Sequence, residues 1–213
     1  LKQERSKGVN ISWDFDKASK QMIYGFTVNG FYTQLQDAFI LEEQGINPQG
    51  NQILLRKNGA GALVQGISCE FRLNYKSKIQ IESGFNVQES MYEEEVSWSE
   101  NLGSTKRFLR TPNTYGFFTL ELHPSKKLDI DISSVYTGSM LVPHFGGAPG
   151  IPSDVLNESK SFFELNLRMA YMVSPAITFH MGAQNILNAY QKDFDTEKNR
   201  DSNYVYGPAR PRS

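Results

Sequence analysis

Residues 163–173 read Phe-Glu-Leu-Asn-Leu-Arg-Met-Ala-Tyr-Met-Val, and this stretch decides the fold. Every odd position from Phe163 to Val173 is apolar, while Glu164, Asn166 and Arg168 stand between. A strand sends alternate side chains to opposite faces, so the segment is a strand with one apolar and one polar face. The next stretch repeats the scheme, with Ile177, Phe179, Met181 and Leu187 set against Thr178, His180, Gln184 and Asn188.

Working back towards the N-terminus, the same period recurs. Leu128, Ile130 and Ile132 alternate with Asp129, Asp131 and Ser133; Phe118, Leu120 and Leu122 alternate with Thr119, Glu121 and His123. Ile79, Ile81, Phe85 and Val87 face away from Gln80, Glu82, Asn86 and Gln88. Ile67, Cys69, Phe71, Leu73 and Tyr75 face away from Ser68, Glu70, Arg72 and Asn74. Met22 to Tyr32 and Val9 to Phe15 complete a set of eight strands. Gln34–Leu41 fits either a short helix or an overhanging strand, and the strand is the preferred reading.

The connections sort by length. Short links fall at Asp16–Lys20, Lys76–Lys78, His123–Lys127 and Ser174–Pro175. Long polar links fall at Gly45–Gly59, Glu93–Asn113, Leu141–Lys160 and Tyr190–Tyr206. Alternation alone suits a soluble sheet with one wet face as well as a membrane wall. Short turns on one side and long loops on the other describe a transmembrane β-barrel, with its apolar face on lipid and its polar face on the lumen.

Composition agrees. The chain has 213 residues, a net charge of -1, a single cysteine and 26 aromatic residues. That balance excludes a strongly basic nucleic-acid binder, and one cysteine excludes a disulfide framework. Mean hydropathy is -0.46, unlike a helical membrane protein. The charge-free window Ile132–Ser153 contains Pro143, Pro149 and Pro152, and Met169–Gln191 is broken at Ser174-Pro175, so neither is a spanning helix. The chain opens at Leu1 with no signal-peptide pattern behind it and stops at Gly-Pro-Ala-Arg-Pro-Arg-Ser; it reads as a mature or truncated fragment.

From Gln184 the sequence runs QNILNAYQKDFDTEKNRDSNYVYGPARPRS. This resembles the C-terminal end of TonB-dependent outer-membrane receptors, in the branch common in the Bacteroidetes. There an Asn-apolar-apolar-Asn segment closes the penultimate strand, an Asp-bearing loop follows, and Gly-Pro-x-x-Pro-Arg-Ser/Thr opens the last strand. Val135–Gly147 (VYTGSMLVPHFGG) is similar to a strand and loop two hairpins earlier.

The resemblance implies an all-β fold: an antiparallel transmembrane β-barrel segment of about eight strands plus the start of the last strand of a 22-stranded barrel. Residues 1–213 would be the C-terminal part of the barrel domain, about the last third of a receptor, with the plug and earlier strands absent. It implies a multi-pass protein of a Gram-negative outer membrane, importing a bulky scarce nutrient such as a siderophore, haem or cobalamin chelate. The partners implied are outer-membrane lipid, the receptor's own N-terminal plug, the TonB-ExbB-ExbD complex and a surface lipoprotein; nucleic acid is not among them, and no cofactor is expected. A glycan importer and a stand-alone eight-stranded barrel with a structural or adhesion role are the competing readings.

No enzyme motif is present, and His123, His144 and His180 lie far apart in sequence. Asp193, Asp195, Glu197, Asn199 and Asp201 have calcium-loop spacing, but Lys198 and Tyr204 replace its glycine and terminal glutamate, so an ordinary solvated loop is preferred and no metal site is assigned. Ligand contacts are expected in the long loops: Tyr92 and Trp98 beside the acidic Glu93–Glu95 run, and Met140, His144 and Phe145, where aromatic, thioether and imidazole groups suit a bulky chelate. The loop tip Gly146–Ser153 belongs to the same expectation. Glu70, Arg72, Glu82, Glu121, Asp129, Asp131, Glu164 and Arg168 are expected to line the lumen, and Cys69 the apolar face.

Overall fold

The computed structural model describes residues 1–49, 52–98, 101–146, 152–192, 204–208 and 212–213, with the side chains of residues 42, 43, 46 and 52 left aside. Eight long antiparallel strands form one sheet: β1 (Arg5–Ala18), β2 (Met22–Gln36), β5 (Ala62–Tyr75), β6 (Ile79–Ser97), β8 (Thr114–Ser125), β9 (Leu128–Thr137), β12 (Phe162–Ser174) and β13 (Ile177–Ala183), in that spatial order. They are the eight strands read from the alternation. A short strand, β7 (Ser104–Arg107), pairs with the far end of β6. Two hairpins stand apart: β3 (Phe39–Ile46) with β4 (Gln52–Asn58), and β10 (Leu141–His144) with β11 (Val155–Glu158).

Register carries the two-faced pattern across the whole sheet. One row runs Asp16, Gly25, Arg72, Glu82, Thr119, Ser133, Asn166; the next towards the short turns includes Asn74, Gln80, Glu121, Asp131 and Arg168. On the opposite face Tyr24, Leu73, Ile81, Leu120, Ile132 and Leu167 align. Cys69 sits on this apolar face, between Val28 and Phe85. Along β5 the apolar face runs from Tyr75 to Ile67 and then changes to Gln65, which bonds Glu89 at 3.0 Å. Nine residues at ~3.3 Å each, tilted by ~40°, give an apolar band about 23 Å tall, the height of a barrel's lipid belt.

The short turns are tight. Lys76 and Ser77 both have φ near +53°, the left-handed pair of a turn that the Lys78 N–H closes on the Tyr75 carbonyl at 2.9 Å, and Asn74 accepts a hydrogen bond from the Ser77 N–H at 3.0 Å. The long connections depart from expectation. Glu93–Glu95 lie in the extension of β6 rather than in a loop, because β6 is 19 residues long. The links at 45–59 and 141–160 fold back as the β3–β4 and β10–β11 hairpins. Gln34–Leu41 is extended, with no helix, but is split by a reversal at Asp37 (φ 54°). β13 ends at Ala183, short of Leu187, because Asn185 (φ 48°) and Asn188 (φ 53°) turn the chain out of the sheet.

Two glycines make a direct test of which face is crowded. A side chain at Gly66 would meet the Val87 carbonyl oxygen at 2.4 Å and the Phe31 ring at 2.7 Å, whereas Gly30, on the apolar face, has open space. Gly66→Val is expected to cost about 1–3 kcal/mol through overpacking. Gly30→Val is expected to change stability by less than about 1 kcal/mol, since it adds only an apolar side chain on a lipid-facing position. Thermal loss of the heat-modifiable barrel band of the assembled protein measures both; equal effects would overturn the face assignment.

Candidate functional site

The polar face is built first from charge. Asp16 lies over Gly25 and reaches Arg72 at 3.3 Å, two strands away; a Cβ on Gly25 would collide with the Asp16 carboxylate. Arg72 also donates to Thr27 at 3.0 Å, and Thr27 donates to Asp14 at 2.7 Å. Arg72 and Glu70 stand 3.9 Å apart, and Arg168 and Asp131 3.8 Å apart on neighbouring strands. The expected lumen-lining charges therefore share one face, and some pair across strands. His123 bonds Asp129 at 2.7 Å at the turn end. His180, with Glu121, Asp131, Asn166 and Arg168, lines a polar hollow of about 820 Å³ on the lumenal side. His144 stands at the loop end, remote in the topology from both.

At the loop end, Tyr92 and Trp98 come together, with ring centroids 6.3 Å apart. Phe108, which the sequence reading missed, is closer still to Tyr92, at 4.4 Å. Burial raises the Tyr92 phenol pKa, so it stays protonated as a hydrogen-bond donor at neutral pH. The Trp98 indole N–H is buried and has no hydrogen-bond partner among the described residues.

Met140 and His144 are placed differently. Both belong to the packed β10–β11 hairpin, at 5% and 4% exposure. Met140 is held by the Ser159 hydroxyl, which accepts from its N–H at 3.0 Å. One face of the His144 ring is covered by Tyr204, 3.8 Å away and nearly parallel, while its Nδ1 is buried without a hydrogen-bond partner among the described residues. Phe145, just beyond, is half-buried. The structure thus brings together Tyr92 with Trp98, and separately Met140, His144 and Phe145. The tip residues 147–151 and the acidic positions 193–201 lie outside the described residues.

The loops are fastened to one another. Arg107 on β7 holds Glu158 on β11 through two bonds of 3.0 and 3.2 Å, and Ser139 adds a third at 3.2 Å. Arg110 donates from its backbone to Leu141 O (2.7 Å) and from its guanidinium to Val205 O (2.8 Å). Gln191 is 1% exposed; its amide donates to Tyr204 O and accepts from the Tyr206 and Gly207 N–H groups. Ser213 and Gln184 exchange backbone hydrogen bonds, which sets the end of the described chain beside the end of β13. None of these long-range partners leaves a signal in a single sequence.

The Arg107 guanidinium holds the Glu158 carboxyl below its usual pKa. A depressed carboxyl stabilises above its unfolded pKa and loses that contribution as pH falls through the folded one. Both side chains are about half exposed, so screening limits the effect to about 0.5–1 kcal/mol. Hydrogen exchange in residues 141–144 and 155–158 should be faster in Glu158→Gln than in the unmodified protein at pH 7. The two should converge once pH drops well below the carboxyl range; a gap that persists there would contradict the clasp.

No family profile and no curated protein matches the chain. Solved structures do. The chain is similar to the ferric-catecholate import receptor Fiu of E. coli K12 in its closed form, with TM-score 0.68, 16% identity, and 100% of this chain on 27% of that one. It is similar to the ferripyoverdine receptor of the Pseudomonas aeruginosa outer membrane, with TM-score 0.65, 11% identity, and 88% of this chain on 24% of that one. It is similar also to the siderophore receptor PiuA of Acinetobacter baumannii, with TM-score 0.60, 13% identity, and 87% on 25%. The chain spans about a quarter of the length of each. The shared fold is a section of the β-barrel wall of outer-membrane receptors, which is the fold that the C-terminal motifs imply.

Proposed function

We propose that this chain is the C-terminal part of the barrel of a TonB-dependent receptor in a Gram-negative outer membrane, and that the receptor takes up a metal chelate, with a siderophore as the leading class. The observation that carries the reading is the match of the entire chain to part of a ferric-catecholate import receptor at TM-score 0.68. The sheet's topology supports it over a stand-alone eight-stranded barrel: β1 and β13 stand at opposite ends of the sheet rather than closing on each other. In this reading the polar face meets the receptor's own plug, the apolar face meets lipid, and a TonB-ExbB-ExbD complex supplies the work.

The ligand is received at the loop end. Tyr92, Trp98 and Phe145 offer aromatic surface, His144 a buried imidazole, and Met140 packs the hairpin that carries it. The test is uptake by cells of the source organism, with and without the gene, of radiolabelled iron bound to a panel of siderophores, haem, and labelled cobalamin. Expected is loss of one iron chelate's uptake, abolished equally by a protonophore. Unchanged uptake across the panel would overturn the reading.

A further inference from the structure

The short turns share one charge. Lys17 and Lys20 stand at the β1–β2 turn, Lys76 and Lys78 at the β5–β6 turn, and Lys126 and Lys127 at the β8–β9 turn. The fourth turn, at Ser174-Pro175, is uncharged, and positions 17–21, 76–78, 124–127 and 175–176 include no Asp or Glu. All six lysines are exposed, and none is paired with a carboxylate among the described residues. Backbone bonds fix three of them in place: the Lys76 N–H donates to the Gln21 carbonyl at 2.7 Å, and the Lys78 and Lys127 carbonyls accept from the His123 and Met172 N–H groups at 2.8 Å. Lys78 and Lys127 continue, by register, the lumenal rows of Gln80 and Asp129. Lys17 pairs with Tyr24, and the Lys76 ammonium stands 5.2 Å from the Tyr75 ring centroid, both on the apolar side. The basic rim therefore wraps from the lipid side to the mouth of the lumen.

We propose that this rim is a docking surface for an extended acidic segment of a periplasmic protein. Neighbouring hairpins stand two strand spacings apart, so the three lysine-bearing turns cover about 20 Å, which six or seven residues of extended chain span. Unpaired cations on a fixed scaffold meet such a segment without having to be ordered first. Charge also keeps the partner at the rim. The lumenal wall above it is acidic, with Asp16, Glu82, Glu121 and Asp131 on one face, and repels an anionic chain that would enter the lumen. A lipid headgroup beside the apolar face reaches Lys17 and Lys76 but leaves the lysines at the lumen mouth unmatched. The surface goes beyond the uptake reading and rests only on the short turns facing the periplasm, as they do in outer-membrane barrels.

The test uses the full-length protein that carries this chain, purified in uncharged detergent micelles. Fluorescence anisotropy follows a labelled peptide of alternating Glu and Ser, about twelve residues long so that it overspans the row, and a control peptide with Gln in place of Glu. At low salt the Glu peptide should bind at least about tenfold more tightly than the control, as several exposed ion pairs together supply. Raising the salt to about 0.5 M should remove most of that difference by screening. The double variant Lys78→Gln with Lys127→Gln and the double variant Lys17→Gln with Lys76→Gln should each lower the affinity severalfold. Heat-modifiable gel migration confirms that each variant is assembled; all four substitutions are at exposed positions. Phosphatidylglycerol mixed into the micelles should displace only a minor part of the bound peptide. Equal binding of the two peptides, or affinity unmoved in the Lys78 and Lys127 variant, overturns the surface. Complete displacement by phosphatidylglycerol would overturn it too, by showing a rim built for lipid headgroups.

Discussion

Prepared without detergent, the 213-residue chain is expected to sediment almost entirely as large aggregates. In detergent micelles it is expected to remain dispersed with a β-type circular dichroism spectrum. The reason is the apolar face. Ile11 is 72% exposed and Met181 67%, and Trp13 and Phe179 are as open, within a surface that continues across all eight long strands. Each such side chain forfeits about 1.5–3 kcal/mol when left in water. Soluble monomers seldom expose apolar patches beyond a few hundred Å². The outer edges of β1 and β13 add unpaired backbone groups that template association. Analytical ultracentrifugation decides the matter. A sharp 24.1 kDa species in plain buffer with cooperative melting would show that the apolar face is not a membrane surface.

The second large effect concerns uptake. In the intact receptor, deleting residues 146–153 should lower chelate uptake at least about tenfold, the equivalent of losing roughly one 1.4 kcal/mol contact. Replacing Lys126 and Lys127 with serine should leave uptake nearly unchanged. The two lysines occupy the turn between β8 and β9, at the opposite end of the strands. The turns are too short to enclose a ligand, whereas loops held on a rigid scaffold are where binding concentrates. Receptor amounts in the membrane must be matched by immunoblot, because an assembly defect imitates a binding defect. Uptake and ligand affinity that survive the deletion at matched amounts would remove this hairpin from the site.

The strands were legible because period-two alternation is a local signal, and it ran unbroken through Phe163–Val173 and Ile67–Tyr75. The loop hairpins were not legible, for a physical reason. In β3 and β4 apolar neighbours are adjacent, as in Ile40-Leu41 and Leu54-Leu55, so no alternating face stands out, and β10 and β11 are four residues each. Tyr92 and Trp98 could be picked as neighbours because they stand only six positions apart. Phe108 could not, since β7 must fold back first. The burial of Gln191 is the extreme case. Its composition says surface, and only the return of residues 204–207 turns its amide into a three-bond anchor.

The Asp16–Arg72 contact has a mechanical consequence. Sliding one strand along its neighbour shifts the register and must break every rung of the backbone ladder together, and side chains that bridge strands add to that resistance. Arg72 bonds Asp16 in its own row and Thr27 one row away, and Thr27 in turn holds Asp14, so side chains triangulate β1, β2 and β5. A triangulated panel resists shear. Traction applied to anything lodged against this part of the polar face would be borne by three strands moving as a plate, rather than by one strand slipping past its neighbour.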